Sequence, residues 1–509
     1  MKAKIRQQLA ARKRRIQKRL DPKETGRECP VISASNIQYE VADRTRAISA
    51  GGIGVIHQLV KRLELDKAIN EKLNLFKIYL PYSESDHVLN IAYNLLAGGT
   101  CLEHLELRRN DEVYLDALGA QRIPDPTTAG DFCRRFNWLH VYGLMEVFNE
   151  TRLKVWRQQP ASFFEEAIIE ADGTMVETYG ECKEGMDINY KGQWGYHPLL
   201  ISLANTREPL FIVNRSGNRP SHERAAAYFD SSIDLCRRAG FRKITLRGDT
   251  DFTQTEYLDG WDEAGVRFVF GIDAMPNLYE LAENLPETAW KHLKRRARYE
   301  VKTKPRRRPD NVKEQVVRDR EFENIRLVDE HVAEFSYRPT KCQKTYRVVV
   351  VWKDLEVSRG QQKLFDRDRC FFYITNDEDS PPESIVYEAN KRCDQENVIQ
   401  QHKSMGVLTA PLDNLESNWA YMVISSLAWS LKAWAALMLP VHGRWKEKHE
   451  AEKRALLRMD FATFRNAIIN VPAQIVNTGR RIIYRMLAWN PWQSAFFRLF
   501  SALRLPLRC

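Results

Sequence analysis

No Cys-x-x-Cys pair occurs anywhere in this sequence, and its nine cysteines (29, 101, 133, 182, 236, 342, 370, 393 and 509) are odd in number and widely scattered. That pattern excludes a disulfide framework and a zinc module, and it fits a reducing cytoplasm. The N-terminus has no continuous apolar stretch, so export is not expected. There is no internal repeat, which sets aside solenoids and propellers. Long apolar runs are almost absent. The exception, Trp419 to Val441, carries Ser425, Ser426, Ser430 and Lys432, and these break it short of a clean membrane span of about 20 apolar residues. It reads as a buried core helix, and no membrane partner is expected. Acid is missing altogether from residues 1 to 20, which hold nine Lys or Arg.

What is present is a long, basic, foldable chain. At 509 residues it exceeds what one hydrophobic core usually organises, so several domains or a core with large insertions are expected. Its composition, 43% hydrophobic and 28% charged, is that of a folded protein. A formal net charge of +11 with clustered cations points to a polyanionic partner, nucleic acid before membrane.

Residues 1–40 read as a basic flexible arm, either disordered or a helix that forms on DNA. From 41 to 160 apolar residues recur at helical spacing, as in Ile56-His57-Gln58-Leu59-Val60. Pro124-Asp125-Pro126-Thr127-Thr128 reads as a turn into a helix capped by Thr127 or Thr128. An all-α domain follows from this pattern, either a helix-turn-helix DNA binder or a plain bundle.

The pattern changes at Phe163. Residues 163 to 172 form a strand that delivers Asp172, followed by strands at His197 to Ala204 and Pro209 to Asn214. A helix, Ser221 to Ala239, leads to a short strand, Lys243 to Leu246, that delivers Gly248-Asp249, then a helix from Gln254 to Ala264 and a strand at Arg267 to Gly271. Three meandering strands, then helix, strand, helix, strand, is the order of a ribonuclease H-like α/β core, a mixed sheet flanked by helices. Its first and fourth strands are neighbours, so Asp172 and Asp249 are expected side by side at strand ends, where open α/β sheets gather ligands. Glu170, Asp251 and Asp273 compete for the same role, and spacing alone does not choose among them. A strand at Cys370 to Thr375 precedes a helix at about 385 to 405, on which Arg392, Glu396 and Lys403 share one stripe.

These stretches resemble the DDE transposases of bacterial insertion sequences, specifically the insertion-sequence-1380 family within the insertion-sequence-4-like group. The resemblance rests on Tyr82 to Leu89, Pro124 to Thr128, Ala171-Asp172-Gly173-Thr174, Leu246 to Phe252, and Glu396-Asn397 ahead of Lys403, in the family's order. It implies that Asp172, Asp249 and Glu396 are the catalytic and metal-ligating acids. Arg392, Glu396 and Lys403 match the last three members of a Tyr, Arg, Glu, Lys signature. Tyr387 departs from it, because four residues separate it from Arg392 where two are usual, and Asp251 stands where the family usually has glycine.

The implied chemistry is two-metal phosphoryl transfer with Mg2+, or Mn2+ in its place, on double-stranded DNA: terminal inverted repeats and target, held in a homodimeric synaptic complex, with a hairpin intermediate in the wider group. Arg392, Lys403 and Tyr387 would contact DNA. So would a strand-rich insertion at 276–369 through Arg295, Arg296, Arg298, Arg306, Arg307 and Arg308. The core is read as 161–275 plus 370–441, with a helical tail at 442–509. A ribonuclease H-like nuclease without strand transfer and a domesticated DNA-binding protein are the alternative readings.

Overall fold

The computed structural model describes residues 3–20, 34, 37–39, 45–76, 81–295, 312–359, 362–479 and 481–507. Five strands carry the centre: β1 (Glu166–Gly173), β2 (Leu199–Leu203), β3 (Glu208–Val213), β4 (Lys243–Gly248) and β5 (Arg267–Ile272). β1 pairs antiparallel with β2 and parallel with β4, and β4 runs parallel to β5. The first and fourth strands are therefore neighbours, as the element order requires. β1 to β4 bury Ala167, Ile169, Ala171, Leu246 and most of β2 and β3, which is why these segments read as nearly continuous apolar runs.

The expected insertion is not a separate attachment. Its strands β6 (Lys291–His292), β7 (Glu323–Tyr337) and β8 (Tyr346–Arg359), with β9 (Gln362–Thr375), continue the central sheet beyond β5. Among the described residues this gives nine strands in the order β6-β7-β8-β9-β5-β4-β1-β2-β3. The Cys370 to Thr375 strand is the C-terminal part of the long β9, whose pairing with β5 brings the chain back to the catalytic face.

Three further expectations are corrected. The single helix at 385 to 405 is two, broken at Lys391 and Arg392. The tail at 442–509 is not wholly helical, since Ala473–Thr478 and Arg481–Met486 form a hairpin. That hairpin pairs with Ala47–Ile48, so the tail closes onto the N-terminal region and the latter includes a two-residue strand. Finally, the helix Pro126–Arg134 is capped by Asp125, which accepts from Thr128 N at 2.9 Å, and not by either threonine; Pro126 at the first helical position fits the same start.

Within the arm, Ala3–Leu20 form helix α1. Arg12 donates to the carbonyls of Met486 and Ala488 at 3.0 and 3.1 Å, which lays α1 along the C-terminal hairpin.

The helices between 53 and 134 and α2 (Trp138–Trp156) join the sheet through one buried element, the apolar helix noted above, Leu415–Leu437. Every residue from Ser417 to Leu437 in it is buried. It packs on Glu84–Leu96, on α2 and on β3. Its polar residues are satisfied internally: Ser425 and Ser426 donate to the carbonyls of Tyr421 and Val423, and Lys432 to that of Leu457 at 3.0 Å. Burial pushes the Lys432 ammonium down to about 7. A buried cluster locks α2 to β3 beside it. Glu208 is fully buried, pairs with Arg152 at 3.0 Å, and accepts from the indoles of Trp156 and Trp434 at 3.1 and 2.8 Å.

Candidate active site

Asp172 stands at the end of β1 and Asp249 just past the end of β4. Gly248 lets the chain turn there, because a Cβ at that position would lie 2.8 Å from the Phe252 Cβ. Asp251 N donates to Asp249 Oδ1 at 3.1 Å and holds that carboxylate in place. The third acid comes from the two helices after β9, α3 (Pro382–Asn390) and α4 (Cys393–Ser404). Arg267 on β5 anchors α3 by a two-pronged pair with Glu388 at 3.0 and 2.6 Å. Buried Gln395 anchors α4 by donating to Leu200 O at 3.1 Å and accepting from Ser202. With Gln395 turned inward, Glu396 faces the strand ends.

The three acids converge on one guanidinium. Arg392 Nη1 lies 3.5 Å from Asp172 Oδ2 and 3.5 Å from Asp249 Oδ2, and Nη2 lies 3.3 Å from Glu396 Oε1. The two aspartate oxygens are thus no further apart than about twice that distance. Arg392 is the N-cap of α4, where the helix dipole disfavours a cation. Three facing carboxylates outweigh that penalty. One guanidinium against three carboxylates still leaves the site short of positive charge. Burial and the neighbouring Asp249 push the Asp172 carboxyl up to about 7, despite Arg392. Burial raises Asp249 as well, against the pull of Arg392.

The competing acids separate cleanly. Glu170 is buried and bound to Arg247, directly opposite it on β4, at 2.6 and 2.8 Å. Asp251 and Asp273 are exposed, and neither pairs with Arg392. Lys403 donates to Met175 O at 2.9 Å, two residues beyond Gly173, and is half-buried near Asp172 and Glu177. Tyr387 lies on α3, away from the acids, and its hydroxyl donates to Lys294 O. Arg295 is already paired with Glu330 at 2.6 Å. Arg296, Arg298, Arg306, Arg307 and Arg308 lie outside the described residues.

One feature near the acids was not legible beforehand. Between β1 and β2 the chain makes a small sheet of Val176–Glu177, Asp187–Ile188 and Trp194–Tyr196. It leaves Tyr179, Tyr190 and Trp194 exposed beside the site. The short strands, separated by glycines and charges, lack the alternation that marks a strand.

Among the described residues no three His, Cys, Asp or Glu side chains are close enough together to hold a metal ion as they stand. Arg392 lies between the three acids, 3.3 to 3.5 Å from an oxygen of each. The donor set itself is all oxygen and carries surplus negative charge, which suits a hard divalent cation once the guanidinium moves aside.

Acids at the ends of two adjacent parallel strands, joined by a glutamate from a later helix, define a carboxylate-centred site on a mixed sheet. The sequence comparison assigns its class: the model of the family "Transposase DDE domain group 1" matches residues 30–507, and the chain belongs to that family. DDE transposases normally use divalent metal ions. Among curated proteins, none matches this chain. Among solved structures it is similar to a chain of the piggyBac transposase synaptic complex with hairpin DNA, at 10% identity and a TM-score of 0.34, covering 83% of this chain and 82% of that one.

Proposed function

We propose that this protein is a transposase that cuts DNA at the ends of its own element and joins those ends to a target, with Asp172, Asp249 and Glu396 as its catalytic acids. The observation that carries the reading is the convergence of these three carboxylates on Arg392. We further read the β1 to β5 unit with α3 and α4 as a ribonuclease H-like core. The N-terminal helices are a DNA-binding domain, the element is a bacterial insertion sequence of the 1380 family working by cut-and-paste as a homodimer in the cytoplasm, and the cofactor is Mg2+.

In this reading Asp172, Asp249 and Glu396 would hold the cations. When bound, such cations activate the attacking oxygen and stabilise the leaving one. The rest of the work falls to the chain. Glu170 and Arg247 form a rigid buried floor beneath the aspartates, so the carboxylates are fixed before substrate arrives. Arg392, among the described residues the one cation touching all three acids, is placed to transfer its donors to phosphate oxygens as DNA enters. Lys403, held at the start of the small sheet, adds a second positive charge on the same side. Water attack at the element end would free a 3′ hydroxyl, which then attacks the target strand.

The test supplies precut element ends and target DNA with Mg2+. Joined products are expected from the wild type. Cleavage of uncut ends with no joining of precut ones would instead favour a nuclease without strand transfer.

A further inference from the structure

A cationic site lies on the same face of the sheet as the three acids, further back along β1. A cavity of about 150 Å3 opens beside Ile168, lined by Thr206, Arg207, Arg247, Lys391, Asp394 and Arg458. It is smaller than a drug-sized pocket and suits one small polar group. Its charges do not cancel. Arg207 takes up Asp394 at 3.1 Å and Arg247 takes up Glu170 at 2.6 Å. Lys391 and Arg458 have no ion-pair partner among the described residues. Thr206 is buried, and its hydroxyl has no hydrogen-bond partner.

The backbone fixes where the Arg207 cation points. Arg207 sits in the tight turn between β2 and β3 at φ 58°. That left-handed conformation disfavours a side chain other than Gly, Asn or Asp. The local turn alone favours glycine or asparagine there, yet the position holds a cation aimed at the α3–α4 junction. The turn is held by the Trp429 indole, which donates to Arg207 O at 2.6 Å, and by Arg207 Nη1, which donates to Arg458 O at 3.2 Å.

We propose that this cavity binds a phosphate group, with Lys391, Arg458 and Arg207 as its cations. Four residues of strand separate Ile168 from Asp172, about 13 Å. The bound group is therefore a backbone phosphate a few nucleotides from the reacting one, on the same DNA strand or its complement. Lys391 adjoins Arg392, and Asp394 is in the first turn of α4. Filling the cavity would thus fix the junction that presents Arg392 and Glu396. Only the source of the phosphate rests on the transposase reading; the affinity for phosphate does not.

Two variants test it: the exposed pair Lys391→Ala with Arg458→Ala, and Arg207→Asn, which removes the charge and suits the turn. Calorimetry with inorganic phosphate, and duplex DNA binding across a salt series, are measured for each. Wild-type protein is expected to bind phosphate and the variants to lose at least tenfold in affinity. A DNA salt slope shallower by about one unit assigns the site to a backbone phosphate. Loss of phosphate binding with an unchanged slope assigns it to a free phosphate. Arg207→Asn is expected to melt no lower than wild type, which separates a ligand role from a structural one. If all the folded proteins bind phosphate equally or not at all, and the slopes agree, the proposal is wrong.

Discussion

Glu170 and Arg247 face each other across the parallel β1–β4 pair and form a buried ion pair, with side chains 1% and 3% exposed. Two residues further along each strand come Asp172 and Asp249. The same strand face thus carries two layers: one acid neutralised inside the fold, and two left to the open end. Removing one partner of a buried pair leaves the other uncompensated, at a cost of roughly 3–5 kcal/mol. Glu170→Gln is therefore expected to lower the denaturation midpoint strongly. Chemical denaturation checks this, and a midpoint equal to wild type contradicts the two-layer description.

Burial pushes the Glu170 carboxyl up to about 7 as well, against its pair with Arg247; Asp172 differs in having no cation of its own, only a share of Arg392. Its carboxyl, ordinarily near 3.8, is pushed up to about 7 in the folded chain by burial and by Asp249. A raised acid costs nothing below the unfolded value. The cost grows between about pH 4 and 7 and is constant above, because the folded state must then carry a charge it disfavours. Asp172→Asn is expected to be more stable than wild type in metal-free buffer at pH 8, by on the order of 2 °C, and to lose that advantage at pH 4. Equal melting curves at both pH values would show that Asp172 is freely solvated.

Arg392 occupies the space its three acids share, so it competes with a cation for them. Arg392→Gln is expected to bind Mn2+ more tightly than wild type in the absence of DNA, by roughly tenfold, and to bind DNA more weakly. Titration followed by Mn2+ electron paramagnetic resonance reads the first effect. Weaker Mn2+ binding would mean that Arg392 organises the acids and does not block them.

The helix α1 touches the body through Arg12 and the carbonyls of Met486 and Ala488. Lys13 lies over the Trp489 ring at 6.0 Å, and the remaining cations of α1 are expected to reach phosphate. Deleting residues 1–20 is expected to reduce DNA affinity and to make its salt dependence shallower. An unchanged salt slope would remove the arm from the DNA interface.

The sequence made the strand order readable because β1 to β5 are short apolar runs bounded by turns, and the adjacency of Asp172 and Asp249 follows from that order. It did not show which acid was free. Glu170 and Asp172 look alike in one dimension, and only the register that sets Arg247 opposite Glu170 separates them. The break at Lys391 and Arg392 was also hidden, because helix-forming residues continue through it. The sharing of Arg392 among three acids is tertiary, set by Arg267 on Glu388 and Gln395 on Leu200. The insertion was legible as strands, but its merging with the central sheet depended on β9 pairing with β5, a contact between distant segments.

The central claim is that Asp172, Asp249 and Glu396 act as one catalytic group. Cleavage and binding of an element-end duplex, measured side by side for Asp172→Asn, Asp249→Asn and Glu396→Gln, test it most directly. The account predicts that each variant binds the duplex nearly as well as wild type and cuts it at least a thousandfold more slowly, to about the same residual level, as for groups acting as a unit. A variant that keeps its fold and still cuts at close to the wild-type rate contradicts the account.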